Sequence, residues 1–178
     1  MKQKISQDFF NRSADLVAKE LLGKILVRKI NGKILKSKIV ETEAYFGEND
    51  SASRASKGKN KISEMMWEEG GKILVYNVHM YKMFNFITDK KGIPSAVLIR
   101  AAQPLNFSSR CSGPGLLTNS LNIDKKFHGK NLFEISNLYL EDNKEDFEIV
   151  KSFRIGVTKD LDIPMRFYIK GNKFVSRK

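Results

Sequence analysis

Two glutamates and a tyrosine alternate along one segment of the chain, residues 40–47 (VETEAYFG). Because residues two apart in a strand point to the same side, Glu41, Glu43 and Tyr45 share one face of this segment. A carboxylate held inside a pocket can take a proton from a reacting group, which is the role of a general base. The spacing therefore predicts general-base catalysis at this segment. For either glutamate taken alone, the simpler interpretation is a solvent-facing side chain near a strand end.

The segment is predicted to be the far end of a β-hairpin. Residues 24–30 and 33–45 are both strand-like, and Asn31 and Gly32 separate them. A type I′ turn needs two residues at positive φ, and Asn-Gly is the pair that most often supplies them. The hairpin would carry Glu43 on its second strand.

Helices and further strands complete an α+β prediction, a curved and mainly antiparallel sheet with a few flanking helices. Apolar residues at helical spacing predict a helix over residues 14–22, begun by Asn11 or Ser13 and ended by Gly23. A second short helix begins at Pro114, which suits a first turn. Residues 50–63 are polar and predict a surface loop. Additional strand-like runs are residues 73–78, 83–88, 95–101, 153–157 and 166–170.

The net charge of the chain points to a polyanionic partner. Thirty-two Lys and Arg against twenty Asp and Glu give a formal charge of +12 and a pI near 9.7. Such a balance is typical of nucleic-acid-binding proteins, although a lysine-rich proteome would produce it as well.

Length and composition favour one domain spanning residues 1–178, since 41% of the residues are hydrophobic and no linker divides the chain. Cys111 is the single cysteine, which is typical of a reducing compartment. No apolar run is long enough for a membrane span, and residues 1–5 lack a hydrophobic signal core. We therefore expect an intracellular, soluble protein that needs no membrane.

Other catalytic chemistries find little support in the residue pattern. His79 and His128 lie far apart, and no Cys/His cluster has metal-ligand spacing. The acidic residues within 141–146 predict a solvated turn rather than a cation site. No glycine-rich phosphate loop follows a strand. We expect no metal and no cofactor.

The aromatic rings of Tyr45 and Tyr76 could instead hold a nucleobase, which stacking stabilises by about 1–3 kcal/mol per base.

An ordered set of short motifs resembles the alkyladenine/3-methyladenine DNA glycosylase family, of the human alkyladenine glycosylase type. Any one motif is weak, but together they span nearly the whole chain in family order. They are Leu21-Leu22-Gly23 with Leu26-Val27-Arg28, residues 40–47, Val75-Tyr76, residues 97–101, Ser112-Gly113-Pro114-Gly115, Arg154-Ile155-Gly156-Val157 and residues 166–171.

The resemblance implies a fold shared with the alkyladenine glycosylases and with the C-terminal domain of formyltransferases. It also implies monofunctional excision of damaged purines, such as 3-methyladenine, hypoxanthine or ethenoadenine, from double-stranded DNA. The enzyme would act as a monomer, flip the nucleotide out of the duplex and attack the sugar with an activated water. By the same resemblance, Glu43 is the general base, Arg100 orients the carboxylate and the water, and the Val157 carbonyl is a third contact to the water.

The resemblance also assigns the residues around the flipped base. Tyr45 and Tyr76 match its aromatic walls, and Asn85 matches the residue that crowds the 2-amino group of guanine. Arg54 stands where the family has a pocket histidine, so a permanent cation replaces a neutral donor and acceptor. This change would favour neutral lesions such as hypoxanthine, unless Arg54 turns outward to a phosphate.

The segment that enters the DNA stack departs from the family pattern. Family members have a tyrosine followed by glycine, whereas this chain has His79 in that position and no glycine. Met80 or Tyr81 could fill the vacated stack instead, since apolar and aromatic side chains both do so.

Further departures lie at Ile62-Ser63 and Leu116, where the family has basic contacts to DNA. Two alternatives to hydrolysis stay open at this point. One is a non-catalytic nucleic-acid-binding module on the same scaffold, and the other is a lyase that uses a lysine Schiff base.

Overall fold

Eight strands form one curved, antiparallel sheet in the computed structural model, which describes residues 5–177. The strands are β1 (Ile25–Ile30), β2 (Lys33–Tyr45), β3 (Ile73–Val78), β4 (Tyr81–Ile87), β5 (Ala96–Pro104), β6 (Leu138–Glu141), β7 (Ile149–Ser152) and β8 (Arg166–Ile169). Their order is β3-β4-β5-β2-β1-β6, while β8 pairs with β2 and β7 pairs with β8. The α+β prediction is confirmed. The expectation about a signal core falls mostly on residues 1–4, which lie outside the described residues.

Strand β2 is the centre of the sheet because it has partners along its whole length. Its first half pairs with β1, residues 41–43 pair with β8, and residues 37–45 pair with β5. The predicted hairpin is confirmed, with Asn31 at φ 48° and Gly32 at φ 73° in the turn between β1 and β2. A strand paired on both sides holds its side chains in a fixed register, which suits a catalytic segment.

Helix α2 (Ala14–Leu21) covers one side of the sheet, and α1 (Gln7–Phe10) precedes it. Val17 and Leu21 of α2 are buried at helical spacing, as predicted, but Leu16, which was expected on the same apolar stripe, is 45% exposed. Thr42 of β2 donates a hydrogen bond of 2.8 Å from its hydroxyl to the carbonyl of Ala18. We call this side of the sheet the core face, and the opposite side, which bears Glu41, Glu43 and Tyr45, the site face.

The alternation of side chains separates these two faces on the neighbouring strands as well. Phe84 and Phe86 of β4 are fully buried on the core face, with ring centroids 4.9 Å apart. The site face has a smaller apolar cluster that includes Leu74 and Met66, beneath the loop between β2 and β3. The larger cluster fixes the sheet, and the smaller one supports the loops over the site face.

Two predictions about elements need correction. Residues 153–157 are a loop rather than a strand, because Gly156 takes φ 74° and the amides of Arg154 and Ile155 donate to carboxylates instead of a neighbouring strand. Residues 50–63 are a more ordered loop than predicted, with a short 3-10 helix over Arg54–Lys57. Helix α3 (Pro114–Ser120) begins at Pro114, as predicted.

The acidic turn near residue 142 is an ion-pair partner of the first hairpin rather than a solvated turn. Lys36 pairs with Glu141, and Lys24 pairs with Asp142. Lys38 pairs with Glu145 at 3.0 Å.

Within residues 5–177, no helix combines the length and the apolar character needed to cross a bilayer.

Candidate active site

A cavity of about 640 Å³ opens on the site face of the sheet. Side chains of β2, β3, β4 and β5 form its floor, and two loops within residues 51–62 and 155–159 form its walls. Its size falls in the range typical of small-molecule sites. Of the predicted site residues, it brings together Tyr45, Tyr76, Arg54, Arg100 and Val157.

Glu43 lies directly behind the lining of this cavity and has no exposed surface. Its Oε1 accepts a hydrogen bond of 2.8 Å from the amide of Ile155 and lies 3.4 Å from Nη1 of Arg100. Its Oε2 accepts a hydrogen bond of 2.8 Å from the hydroxyl of Tyr45. Each carboxylate oxygen thus has a donor that fixes its orientation, and each keeps a further lone pair for a proton.

Burial raises the pKa of Glu43 above its ordinary value. The positive charge of Arg100 and the hydrogen bonds from Ile155 and Tyr45 pull that pKa back down without cancelling the effect of burial. A carboxylate with a raised pKa is a stronger proton acceptor once it is ionised. This is the electrostatic setting of a general base.

Glu41 has a different environment although it lies on the same face. Its Oε1 is 2.7 Å from Nε of Arg166 and 3.3 Å from Nε of Arg100. Ser176 donates both its amide, at 2.6 Å, and its hydroxyl, at 2.9 Å, to the two oxygens of Glu41. These bonds fasten the C-terminal segment to the sheet. Glu41 is therefore saturated with donors and acts as a structural anion.

Arg100 reaches both glutamates because the pairing of β2 with β5 is irregular at this point. The register shifts around Glu41, so that Glu41 opposes Ala101 and Thr42 opposes Ile99, with Arg100 between them. A bulge of this kind can turn a side chain toward a site. The result is one guanidinium placed between two buried carboxylates.

The two cavity tyrosines each carry a stacked guanidinium. Arg154 lies 4.6 Å from the ring centroid of Tyr45, and Arg54 lies 4.9 Å from that of Tyr76. Burial raises the pKa of both tyrosines, so both hydroxyls stay protonated at neutral pH. Tyr45 is consequently a donor to Glu43 and not a competing anion.

Arg154 is the centre of a buried ion-pair cluster that the sequence analysis did not assign. Its side chain is fully buried and forms two 2.7 Å bonds to the two oxygens of Asp50. It also bonds Asp160 and the carbonyl of Ala44. This cluster joins both loops of the cavity to β2. No local pattern marks it, because Asp50 and Arg154 are 104 residues apart in sequence.

The loop that follows Arg154 brings one backbone amide to Glu43 and one residue to the cavity lining. The Ile155 amide bonds Glu43, Gly156 turns the chain at φ 74°, and Val157 lines the cavity. The placement of Val157 agrees with a carbonyl contact near Glu43, and that contact stays a prediction.

Asn85 lies on the site face, two strands from Glu43. It opposes Leu98 of β5, and Leu98 in turn opposes Glu43 of β2, so the three residues form one row across the sheet. The amide nitrogen of Asn85 donates to the carbonyls of Leu74 and Met83 at 3.1 and 3.2 Å. These bonds fix the side chain beside the cavity floor, and its role toward guanine stays a prediction.

The predicted intercalating residues lie at the tip of the β3–β4 hairpin. Val78 pairs with Tyr81, so His79 and Met80 form a two-residue turn, with His79 at φ 53°. Met80 is 80% exposed. The ring of Tyr81 packs so closely on Gly115 of α3 that a Cβ there would lie 2.3 Å from the ring. His79 and Met80 are therefore the free end of this hairpin.

Metal chemistry finds no candidate in the part of the chain that the structure describes, where no group of three or more His, Cys, Asp or Glu side chains could hold an ion. Cys111 is buried and unpaired, and burial raises the pKa of its thiol, which makes it a poor nucleophile.

Comparison with known proteins gives one consistent family. The family model described as methylpurine-DNA glycosylase matches residues 8–173. A protein of Aeropyrum pernix named "Putative 3-methyladenine DNA glycosylase" is 41% identical over 184 residues, which cover 99% of this chain and 95% of the relative. Proteins of the same name from Clostridium perfringens (strain SM101) and Legionella pneumophila (strain Lens) are 42% and 40% identical. Each covers 98% of this chain, and the aligned regions are 100% and 99% of those relatives.

Proposed function

Because the chain belongs to the methylpurine-DNA glycosylase family, we propose that it is a monofunctional hydrolase of the N-glycosidic bond of damaged purines in double-stranded DNA. Its substrates are alkylated or deaminated purines, such as 3-methyladenine, hypoxanthine and ethenoadenine. It acts as a monomer and as one domain. The observation that carries the proposal is the buried, oriented carboxylate of Glu43 directly behind a cavity with two tyrosine rings.

In the proposed reaction, Glu43 takes a proton from a water molecule. The water oxygen forms a bond to C1′ of the sugar, and the N-glycosidic bond breaks with its electron pair going to the purine. A neutral purine takes up a proton from solvent water as it leaves, whereas a cationic alkylated purine leaves as a neutral base. Glu43 afterwards returns its proton to solvent. The positive charge of Arg100, 3.4 Å from Glu43, stabilises the ionised carboxylate before the attack.

The flipped base lies among Tyr45, Tyr76 and the loop of residues 155–159, all of which line the cavity. Flipping costs a few kcal/mol of unstacking, and stacking on the rings offsets about 1–3 kcal/mol of this cost. Since Tyr45 donates to Glu43 in the free protein, the entering nucleotide displaces this hydroxyl and admits water to the carboxylate.

Replacing Glu43 with Gln tests the general base. We expect Glu43→Gln to bind lesion-containing duplex within a few-fold of wild type and to lower the single-turnover rate of base release by at least about a thousandfold. Glu48→Gln is the matched control, because Glu48 is exposed and lies only five residues away. It should release the base at the wild-type rate.

Two outcomes of this experiment contradict the proposal. Multiple turnover by Glu43→Gln removes the assignment of the base, and wild-type protein that binds DNA without releasing any purine supports a non-catalytic module. Borohydride in the same reactions separates hydrolysis from lyase chemistry. The lysines that line the cavity, Lys57 and Lys159, are both exposed. We expect no trapped protein–DNA adduct.

A further inference from the structure

Arg54 differs from the other arginines around the cavity in having no carboxylate partner. Arg100 is paired with Glu41 and Glu43, and Arg154 is paired with Asp50 and Asp160. Among residues 5–177, no carboxylate forms an ion pair with Arg54. Its net charge is therefore presented to whatever enters the cavity.

The backbone of Arg54 is anchored at the cavity wall. The 3-10 helix over Arg54–Lys57 begins at Ser53, whose hydroxyl accepts from the amide of Ala55 at 3.1 Å, and Ala55 is fully buried. The side chain of Arg54 is exposed and extends from this anchored backbone, with its guanidinium 4.9 Å from the ring centroid of Tyr76. Burial raises the pKa of the Tyr76 hydroxyl, and the charge of Arg54 opposes this increase.

A base that stacks beside Tyr76 must therefore share this space with a guanidinium. A neutral purine has an electron-rich face that attracts a cation, as an aromatic side chain does. A purine alkylated to a cation, such as 7-methylguanine or 3-methyladenine, repels it instead. DNA that covers the cavity removes water, which strengthens both effects.

We propose that Arg54 is a specificity-determining residue that selects neutral damaged purines over cationic ones. This inference rests on the proposed glycosylase activity and narrows its substrate class. Because the glycosidic bonds of cationic purines are intrinsically weaker, the absolute preference of the enzyme is not the informative quantity. The informative quantity is the change in preference when the charge is removed.

The test compares single-turnover release of 7-methylguanine and hypoxanthine from matched duplexes by wild type, Arg54→Gln and Arg54→Lys. We expect Arg54→Gln to raise the ratio of the 7-methylguanine rate to the hypoxanthine rate on the order of 10- to 100-fold, as the loss of a nearby like charge predicts. Arg54→Lys keeps the charge and should stay within a few-fold of the wild-type ratio.

Lys59→Gln is the matched control. Lys59 belongs to the same loop and also lies over an aromatic ring, 5.5 Å from the centroid of Trp67, but it is not among the residues that line the cavity. Its substitution should leave the ratio unchanged. Equal changes in the ratio for Arg54→Gln and Lys59→Gln overturn the inference.

An equal loss on both substrates for Arg54→Gln also overturns it, since that result identifies Arg54 as a phosphate contact. Wild-type protein that releases neither base removes the glycosylase premise itself. That outcome is distinct, because the two other results require measurable release.

Discussion

Glu41 and Glu43 are two residues apart on one strand face, and both are fully buried, yet their partners give them opposite energetic roles. Glu41 neutralises Arg166 and Arg100 and accepts two bonds from Ser176. Glu43 lies 3.4 Å from the guanidinium of Arg100, and burial raises the pKa of Glu43. A buried carboxylate that is costly to ionise in the folded protein should lower stability at neutral pH.

We therefore predict opposite signs for two conservative substitutions. Glu43→Gln should raise the thermal midpoint at pH 7, because an acid whose folded pKa is raised loses stabilisation as pH rises through that pKa. The advantage should vanish as pH falls below the ordinary carboxyl range, where Glu43 is protonated in both states. Glu41→Gln should cost about 3–5 kcal/mol by leaving the buried guanidinium of Arg166 without its carboxylate partner.

Thermal melts of both variants across pH 4 to 8 check this pair. For a chain of this size, the loss at Glu41 corresponds to a decrease in midpoint of roughly 6–20 °C. A destabilised Glu43→Gln at pH 7 would show that the bonds to Ile155 and Tyr45 outweigh the cost of the buried charge.

At the scale of elements, the β3–β4 hairpin exposes its tip, and we predict that this tip fills the space of a flipped nucleotide. His79 and Met80 form the turn, and Tyr81 is held against Gly115. We predict that Met80→Ala and His79→Ala each lower release from duplex DNA by roughly tenfold, because the unstacked step loses its filler. His79→Tyr should match or exceed the wild-type rate of base release from duplex DNA.

The measurement is single-turnover release with subsaturating enzyme on duplex and single-stranded substrates. The losses should be smaller on single strands, where no stack has to be opened. Ile34→Ala is the control, since Ile34 is 48% exposed on a different hairpin. If all three alanine variants match wild type on duplex DNA, the hairpin tip has no part in flipping.

Local patterns predicted the elements whose cause is local. The Asn31-Gly32 pair favours the tight hairpin turn, and the alternation of side chains along β2 places Glu43 and Tyr45 on one face. The strand prediction for residues 153–157 was wrong because the Ile155 amide bonds to Glu43 of β2 and the Arg154 amide bonds to Asp160, six residues later in the same loop. The Arg154–Asp50 pair was missed for the same reason. Tertiary partners, rather than propensity, decide both.

At the scale of the whole molecule, the lysines that contribute to the charge of +12 differ in whether an acidic side chain neutralises them. Two lysines of the first hairpin are neutralised, because Lys38 pairs with Glu145 and Lys36 pairs with Glu141. At the cavity rim, Lys57 and Lys159 are exposed, and neither forms an ion pair among the residues that the structure describes. We therefore predict that these two rim lysines contact DNA phosphates and release condensed counterions.

The salt dependence of DNA binding distinguishes the unpaired rim lysines from the paired lysines of the first hairpin. Each phosphate contact contributes about −0.9 to the slope of log K against log salt, so Lys57→Gln combined with Lys159→Gln should reduce the magnitude of the slope by roughly 2. Lys38→Gln removes the same kind of charge from a paired site and should leave the slope near wild type. Undamaged and lesion-containing duplexes should respond alike, because phosphate contacts carry no information about the base. Equal slopes for the rim and hairpin variants would show that the charge acts as a diffuse field and that the cavity rim is not the DNA-binding face.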